Sequence, residues 1–229
     1  MCRLAAATPN VPARRPLDPV STFGSFGAAA VAGKLLGFDA FEMENAISLC
    51  TGQAAANLRL SSTGGEAARL HAGYAAMYGL RAACLARRGL SGAREMLEGP
   101  MGFFMCVAGL NDDDSPVFNV NAVNDGFGEK WIMEGVTFRK YPVESGQLGV
   151  LDAVSGLREG HNLRPEDVDG VTIVSNMKKG NWMSSAISVP MDVFCAQHSM
   201  AWGVALAMVL GRQVSFDVND DGSQLAYID

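Results

Sequence analysis

The sequence predicts a mostly α-helical protein, with an all-helical domain followed by a smaller α+β domain. Apolar residues recur at helical spacing through the first half, and short β-prone runs bounded by turns follow in the second. Of 229 residues, 48% are apolar and 18% are charged, which is sufficient to bury a core. A disordered leader is predicted over residues 1–18, the helical domain over residues 19–128 and the α+β domain over residues 129–229. The last residues of the second domain can return to the helical domain.

Apolar periodicity predicts the helices of the first domain over residues 25–37, 39–54, 66–88 and 91–98. Asp39 and Glu42 form a capping box at the start of the second helix, and Gly37 offers a left-handed stop to the first. In the third helix, small side chains recur on one side and allow another helix to approach closely. They are Ala72, Ala75 or Ala76, Gly79, Ala83 and Ala86.

The second domain combines predicted strands with predicted helices. Runs of β-prone residues indicate strands over 131–138 and 171–174. Apolar stretches indicate helices over 145–158 and 193–210.

Composition excludes several classes of function. A net charge of -6 argues against nucleic-acid binding, which needs a basic surface. No apolar run reaches the roughly 18 residues that cross a bilayer, so no membrane partner is expected. Five cysteines without short-spaced pairs and three histidines without a ligand pattern predict neither disulfides nor a metal site. These features favour a cytoplasmic protein, with a mitochondrial location as the alternative in a eukaryote.

The first candidate site is the loop over residues 61–65, with Ser62, and the start of the following helix. Glycines, hydroxyls and free backbone N–H groups at a helix start favour an anion. Arg69 opposes the helix dipole there, which indicates an anionic partner such as a substrate carboxylate. The alternative is an ion pair between Arg69 and Glu66, three residues apart.

His71 is a candidate acid or base, because histidine titrates near neutral pH. On one continuous helix His71 and Arg69 would point to different faces, since two residues correspond to about 200 degrees. The alternative is a hydrogen-bonded core histidine without a chemical role.

The second candidate cluster is the segment 139–144, near the predicted domain boundary. Arg139 and Lys140 can bind substrate carboxylates, and Glu144 can act as a base if it is poorly solvated. Clefts between domains are common ligand sites. The alternative is a solvated charged edge.

Six segments carry a resemblance to a known family: residues 21–37, 69–73, 102–104, 140–144, 165–168 and 196–199. In this order they resemble the MmgE/PrpD family of 2-methylcitrate dehydratases, cis-aconitate decarboxylases and iminodisuccinate epimerases. The similarity extends from about Pro19 to Arg212.

The resemblance implies a helical domain with a smaller α+β lid, a homodimer, and a site between the two domains. It implies no metal and no organic cofactor. Family members move or remove a proton next to a carboxylate of a small di- or tricarboxylic acid. Cationic side chains stabilise the negative charge that develops on such an intermediate.

Two positions depart from the family pattern. Asp18 occupies the place of a common histidine, and Ala68 that of a lysine on the His71 face. Glu144 stands where decarboxylases tend to carry histidine and methylcitrate dehydratases glutamate. Family members are also about twice as long, and the resemblance implies that mainly the front half of the helical domain, with part of the end, is missing from this chain.

The resemblance therefore favours a hydro-lyase for a 2-methylcitrate-like substrate. Glu144 would move the proton with Lys140 and His71 as further catalytic residues, while Ser62, Arg69 and Arg139 bind substrate. An epimerase and a decarboxylase are the alternatives within the family. A non-catalytic paralogue that only dimerises or binds carboxylates is the alternative from another class.

Overall fold

The computed structural model describes residues 1–9, 15–54, 65–174 and 188–211. The chain divides into two compact units. The first unit comprises Met1–Leu58 and Ala67–Val136, and the second comprises Arg59–Glu66 and Thr137–Asp229. The described residues are mostly helical, which confirms the predicted mostly α-helical class, whereas the α+β character predicted for the second domain is not confirmed. The assignment of domains to 19–128 and 129–229 stays a prediction.

The chain begins with helix α1 (Cys2–Ala7), so the prediction of a disordered leader is wrong for these residues. Leu4 and Ala7 are buried in the core of the first unit. The guanidinium of Arg3 donates hydrogen bonds of 2.6–3.1 Å to four backbone carbonyls in the segment 123–130. Contacts between residues so far apart in sequence leave no local pattern, and periodicity analysis therefore missed this helix.

Helices α2 (Pro19–Leu35) and α3 (Ala40–Cys50) follow one another. Helix α2 begins earlier than predicted, because Asp18 caps it and Pro19 occupies its first turn. Gly37 adopts a φ of 71°, the left-handed conformation expected after a helix end. The predicted capping box of Asp39 and Glu42 at the start of α3 is confirmed.

Helix α4 (His71–Arg87) is shorter than predicted, because Glu66–Leu70 forms a separate 3-10 turn before it. Its buried face consists of the small residues Ala75, Gly79, Ala82, Ala83 and Ala86. The predicted small-residue face is therefore confirmed, although Ala72 and Ala76 are exposed.

The small-residue face lies directly against α2. A Cβ atom added to Gly79 would lie 2.8 Å from the backbone nitrogen of Ala29 and would also overlap the carbonyl oxygen of Ser25. One at Gly24 would lie 2.9 Å from the Cβ of Ala75. Residues near the start of α2 thus meet residues near the start of α4, and the two helices run parallel with their N-termini together.

The first unit is completed by helices α5 (Phe103–Ala108) and α6 (Asn121–Asn124). Phe103 of α5 packs against Phe26 of α2, with ring centroids 4.8 Å apart. This contact belongs to one buried cluster that includes α1, α2, α3, α4 and α5.

The helix predicted over residues 91–98 is wrong, because this segment forms turns. Two side chains of α3 bind its backbone instead: Asn45 accepts from the N–H of Gly92 at 2.9 Å, and Ser48 donates to the carbonyl of Ala93 at 2.9 Å. Glu95 has a φ of 52°, which interrupts a right-handed helix.

The second unit contains a 3-10 turn (Ser145–Gln147) and helix α7 (Leu148–His161). Pro165–Asp167 forms another 3-10 turn, and helices α8 (Val193–His198) and α9 (Met200–Leu210) follow. The helix predicted over 193–210 is broken at Ser199, which is extended and whose hydroxyl caps α9 through the N–H of Trp202 at 3.1 Å. The core of the second unit is formed by Tyr141, Val143, Leu151, Val154, Met200, Val204, Ala207 and Met208.

Both predicted strands are wrong. Residues 131–138 contain a 3-10 turn at Ile132–Gly135, and residues 171–174 form no regular element. A strand needs a neighbouring strand to bind its N–H and C=O groups, and no β-ladder occurs in the four described ranges.

The described part of the chain also contains no helix long and apolar enough to cross a membrane.

We predict that Gly79→Ala lowers the stability of the first unit by about 1–3 kcal/mol, because the new methyl group must displace the backbone of α2. Gly73→Ala is the matched control on the same helix, since its Cβ meets nothing within 4 Å. That control should be neutral or stabilising by up to about 1 kcal/mol through helix propensity. Urea unfolding of both variants measures the difference, and equal stabilities would contradict the close approach of the helices.

Cys50 should resist alkylation near neutral pH, whereas the exposed Cys106 should react readily. Burial raises the pKa of the Cys50 thiol from 9.0 to about 11, because the thiolate would lose its hydration. The folded chain thus keeps a proton that the unfolded chain loses, so the free energy of unfolding should fall as pH rises from 9.0 towards about 11. Iodoacetamide labelling near neutral pH, followed by peptide mass spectrometry, tests the predicted difference in reactivity between Cys50 and Cys106. Comparable labelling of both cysteines would contradict it.

Candidate functional site

A carboxylate and an imidazole pair at the N-terminal ends of α2 and α4. The Oδ2 atom of Asp18 lies 3.1 Å from the Nδ1 atom of His71. The side chains are only 14% and 16% exposed, respectively, so water competes weakly for this contact. The sequence marks Asp18 only as a departure from the family pattern and does not predict its pairing with His71.

The local structure explains why these side chains meet. Asp18 is the N-cap of α2, and its carboxylate accepts from the N–H groups of Ser21 at 3.0 Å and Val20 at 3.4 Å. His71 is the first residue of α4. The hydroxyl of Ser21 donates to the carbonyl oxygen of His71 at 3.4 Å, a second link between the two helix starts.

This arrangement is suited to proton transfer. An ionised carboxylate only accepts hydrogen bonds, so the proton of the Asp18–His71 contact lies on Nδ1. The neutral ring then has its lone pair on Nε2, which forms no hydrogen bond within the described residues. A histidine oriented by a carboxylate on one nitrogen can accept or donate a proton through the other.

Arg69 lies in the 3-10 turn just before His71 and is exposed. Its guanidinium is therefore accessible to an anion. The side chain of Glu66, the alternative partner, is outside the described residues, as is Ser62 with most of the predicted anion loop.

The described end of that loop already binds a carboxylate of the chain itself. The N–H of Gly65 donates to Oδ2 of Asp192 at 2.8 Å. The N–H groups of Cys195 and Gly65 lower the pKa of Asp192, because both hydrogen bonds favour its charged form. This contact lies within the second unit, and it shows that the backbone at residue 65 is oriented to bind a carboxylate.

The second unit holds a cluster around Asp152 of α7. Its Oδ1 atom accepts from Nζ of Lys140 and from the hydroxyl of Tyr141, both at 2.6 Å. The hydrogen bond to Asp152 is the main cause that raises the pKa of Lys140, so this amine stays charged at neutral pH. Lys140 is solvent-exposed, and its charge is already partly balanced by the aspartate.

The other two residues predicted in this segment stabilise local turns. Arg139 donates to the carbonyl oxygen of Val143 at 3.2 Å. The carboxylate of Glu144 accepts from the N–H of Gly146 at 2.9 Å and from the hydroxyl of Ser145 at 3.2 Å. Glu144 thereby caps the 3-10 turn that leads into α7.

The structure thus separates the predicted site residues into two groups. Arg69 and His71 lie in the first unit, while Arg139, Lys140 and Glu144 lie in the second. No group of three or more histidine, cysteine, aspartate or glutamate side chains suited to a metal ion occurs in the described residues.

The missed residue, Asp18, did carry a sequence signal. An aspartate directly before a proline and an apolar helical run is typical of an N-cap, and its side chain is therefore fixed at a helix start. The identity of the second helix start that lies beside it could not be deduced from this local pattern.

Comparison with known proteins shows similarity to cis-aconitate decarboxylases. The chain is 28% identical over 159 residues to the mouse (Mus musculus) enzyme. The aligned region covers 69% of this chain and 30% of the mouse enzyme. The chain is 28% identical over 143 residues to the human (Homo sapiens) enzyme, covering 62% and 28%. For the Aspergillus terreus enzyme the identity is 27% over 138 residues, covering 60% and 28%.

The matched region thus spans less than a third of the length of each of these relatives. The sequence model of the MmgE/PrpD N-terminal domain matches residues 1–115, half of the chain, including both Asp18 and His71. This chain belongs to the MmgE/PrpD family.

Proposed function

We propose that this chain is a lyase for a small di- or tricarboxylic acid, in which His71 moves a proton at the carbon next to a carboxylate. The Asp18–His71 pair within the family-matched region carries this proposal. It supplies an acid–base group that is partly buried, oriented on one nitrogen and unbonded on the other within the described residues.

His71 fits proton transfer better than the other two catalytic candidates. The carboxylate of Glu144 already accepts two hydrogen bonds from neighbouring residues. Lys140 remains charged beside Asp152, so it is suited to electrostatic stabilisation rather than to accepting a proton. We therefore assign proton transfer to His71 and retain Glu144 as the alternative base.

Cations are required because proton removal next to a carboxylate leaves an enediolate-like intermediate with extra negative charge. Arg69 is the cation nearest to His71 in sequence, and its exposed guanidinium supports a role in binding a substrate carboxylate. Roles for Ser62, Arg139 and Lys140 in substrate binding or charge stabilisation, and the assembly of a homodimer, stay part of the proposal.

Two reactions are compatible with this chemistry. Decarboxylation of cis-aconitate is supported by the names of the relatives. Dehydration of a 2-methylcitrate-like acid is supported by Glu144, which stands where the resemblance expects glutamate in dehydratases. Both start or end with proton transfer next to a carboxylate, so His71 can serve either.

A carboxylate-binding protein without catalysis is the second candidate. Two observations favour it: Lys140 is already paired with Asp152, and the lysine expected at position 68 is alanine. In that case the cations would bind an acid and no bond of the ligand would break.

The 229-residue chain should therefore be incubated with cis-aconitate and, separately, with 2-methylcitrate. Release of carbon dioxide reports decarboxylation, and a rise in ultraviolet absorbance from the new conjugated alkene reports dehydration. His71→Gln should lower kcat by about 100- to 10,000-fold, because it removes the acid–base group. His161→Gln, an exposed substitution in the last turn of α7, is the matched control and should leave kcat unchanged.

Turnover of neither acid would contradict the lyase proposal, and binding without turnover would favour the second candidate. Equal activity of His71→Gln and the parent chain would contradict the role of His71 even if the chain is a lyase.

A further inference from the structure

We propose that Asp18 is a positioning residue that holds His71 in the tautomer with its proton on Nδ1, so that Nε2 is the nitrogen available for acid–base chemistry. The catalytic meaning of this inference rests on the proposed lyase function. The tautomer itself does not, because it follows from contacts within the first unit.

The hydrogen bonds of Asp18 define the direction of the contact. Its Oδ2 atom accepts from the N–H of Ser21 at 3.0 Å, and its Oδ1 atom is 3.4 Å from the N–H of Val20. The carboxylate is thus an acceptor towards the backbone and an acceptor towards the ring, 3.1 Å away. A proton on Nδ1 satisfies this geometry, whereas a lone pair on Nδ1 would face the lone pairs of the carboxylate.

The ring orientation is fixed by the same contacts. Rotation by 180° would exchange Nδ1 for a carbon atom and leave the partly buried Oδ2 without the imidazole donor. The bond from Ser21 Oγ to the carbonyl of His71 also restrains the backbone that carries the ring. The carboxylate is itself held by the start of α2, so both partners are preorganised before any substrate binds.

Two other histidines provide references within the chain. Nδ1 of His198 lies 2.8 Å from the carbonyl oxygen of Phe194, which can only accept, so His198 should also carry its proton on Nδ1. His161 is exposed in the last turn of α7 and serves as the solvent-like reference.

Long-range nitrogen–proton correlation spectra of the 15N-labelled chain, recorded where the rings are neutral, distinguish the tautomers directly. We expect His71 to show a protonated Nδ1 and an unprotonated Nε2, as His198 does. Substitution of each histidine by glutamine assigns the three signals.

Asp18→Ser separates positioning from helix capping. Serine is as good an N-cap as aspartate, but its shorter side chain cannot span the contact to His71. We expect the His71 signal to move towards the His161 pattern in this variant. In the lyase assay, kcat should fall by about 10- to 100-fold while KM changes by less than about twofold, because the ring is misoriented and the substrate cations are intact.

Asp39→Ser is the matched control. It makes the same substitution at the N-cap of α3, whose carboxylate caps a helix and contacts no histidine among the described residues. It should leave both the tautomer of His71 and kcat unchanged.

A protonated Nε2 on His71 in the parent chain would overturn the inference, and so would an unchanged tautomer in Asp18→Ser. A parent chain with the expected tautomer and no lyase activity would refute the proposed function and still support the positioning by Asp18. Loss of the tautomer together with an unchanged kcat would refute the catalytic meaning of the positioning.

Discussion

The first unit depends on the close parallel contact between α2 and α4. Because Gly79 has no side chain, its backbone reaches the peptide groups of Ser25 and Ala29, and small alanines extend the contact along α4. Close packing of two helices in parallel brings both N-termini to the same end of the pair. The Asp18–His71 contact is a consequence of this constraint, since each residue lies at one of those N-termini.

One side chain thereby serves two purposes. Asp18 satisfies N–H groups at the start of α2, which a helix requires for its own stability, and the same carboxylate orients the imidazole of His71. The position of His71, the proposed acid–base group, is thus set by the two helix starts. The charged groups of the second unit are arranged differently: Lys140 and Tyr141 converge on Asp152, and Asp192 binds the backbone of Gly65.

Local patterns in the sequence predicted the local features of the fold. The capping box of Asp39 and Glu42 and the small-residue face of α4 are confirmed, because each is encoded within a few residues. Features that depend on distant contacts were missed. Examples are α1, whose Arg3 donates to the backbone of distant residues, and the turns after α4, whose backbone binds Asn45. The site followed the same rule: His71 and Arg69 were recognisable as candidates, whereas the partner of His71 lies 53 residues away and required the helix packing.

A double-mutant cycle between Asp18 and His71 tests this account most directly. The free energy of unfolding should be measured for the parent chain, Asp18→Ser, His71→Ala and the double variant, with serine chosen to preserve the cap of α2. The account predicts a favourable coupling energy of about 0.5–3 kcal/mol, as for residues in direct contact within one hydrogen-bond network. Additive effects of the two substitutions, with no coupling, would contradict a direct Asp18–His71 interaction.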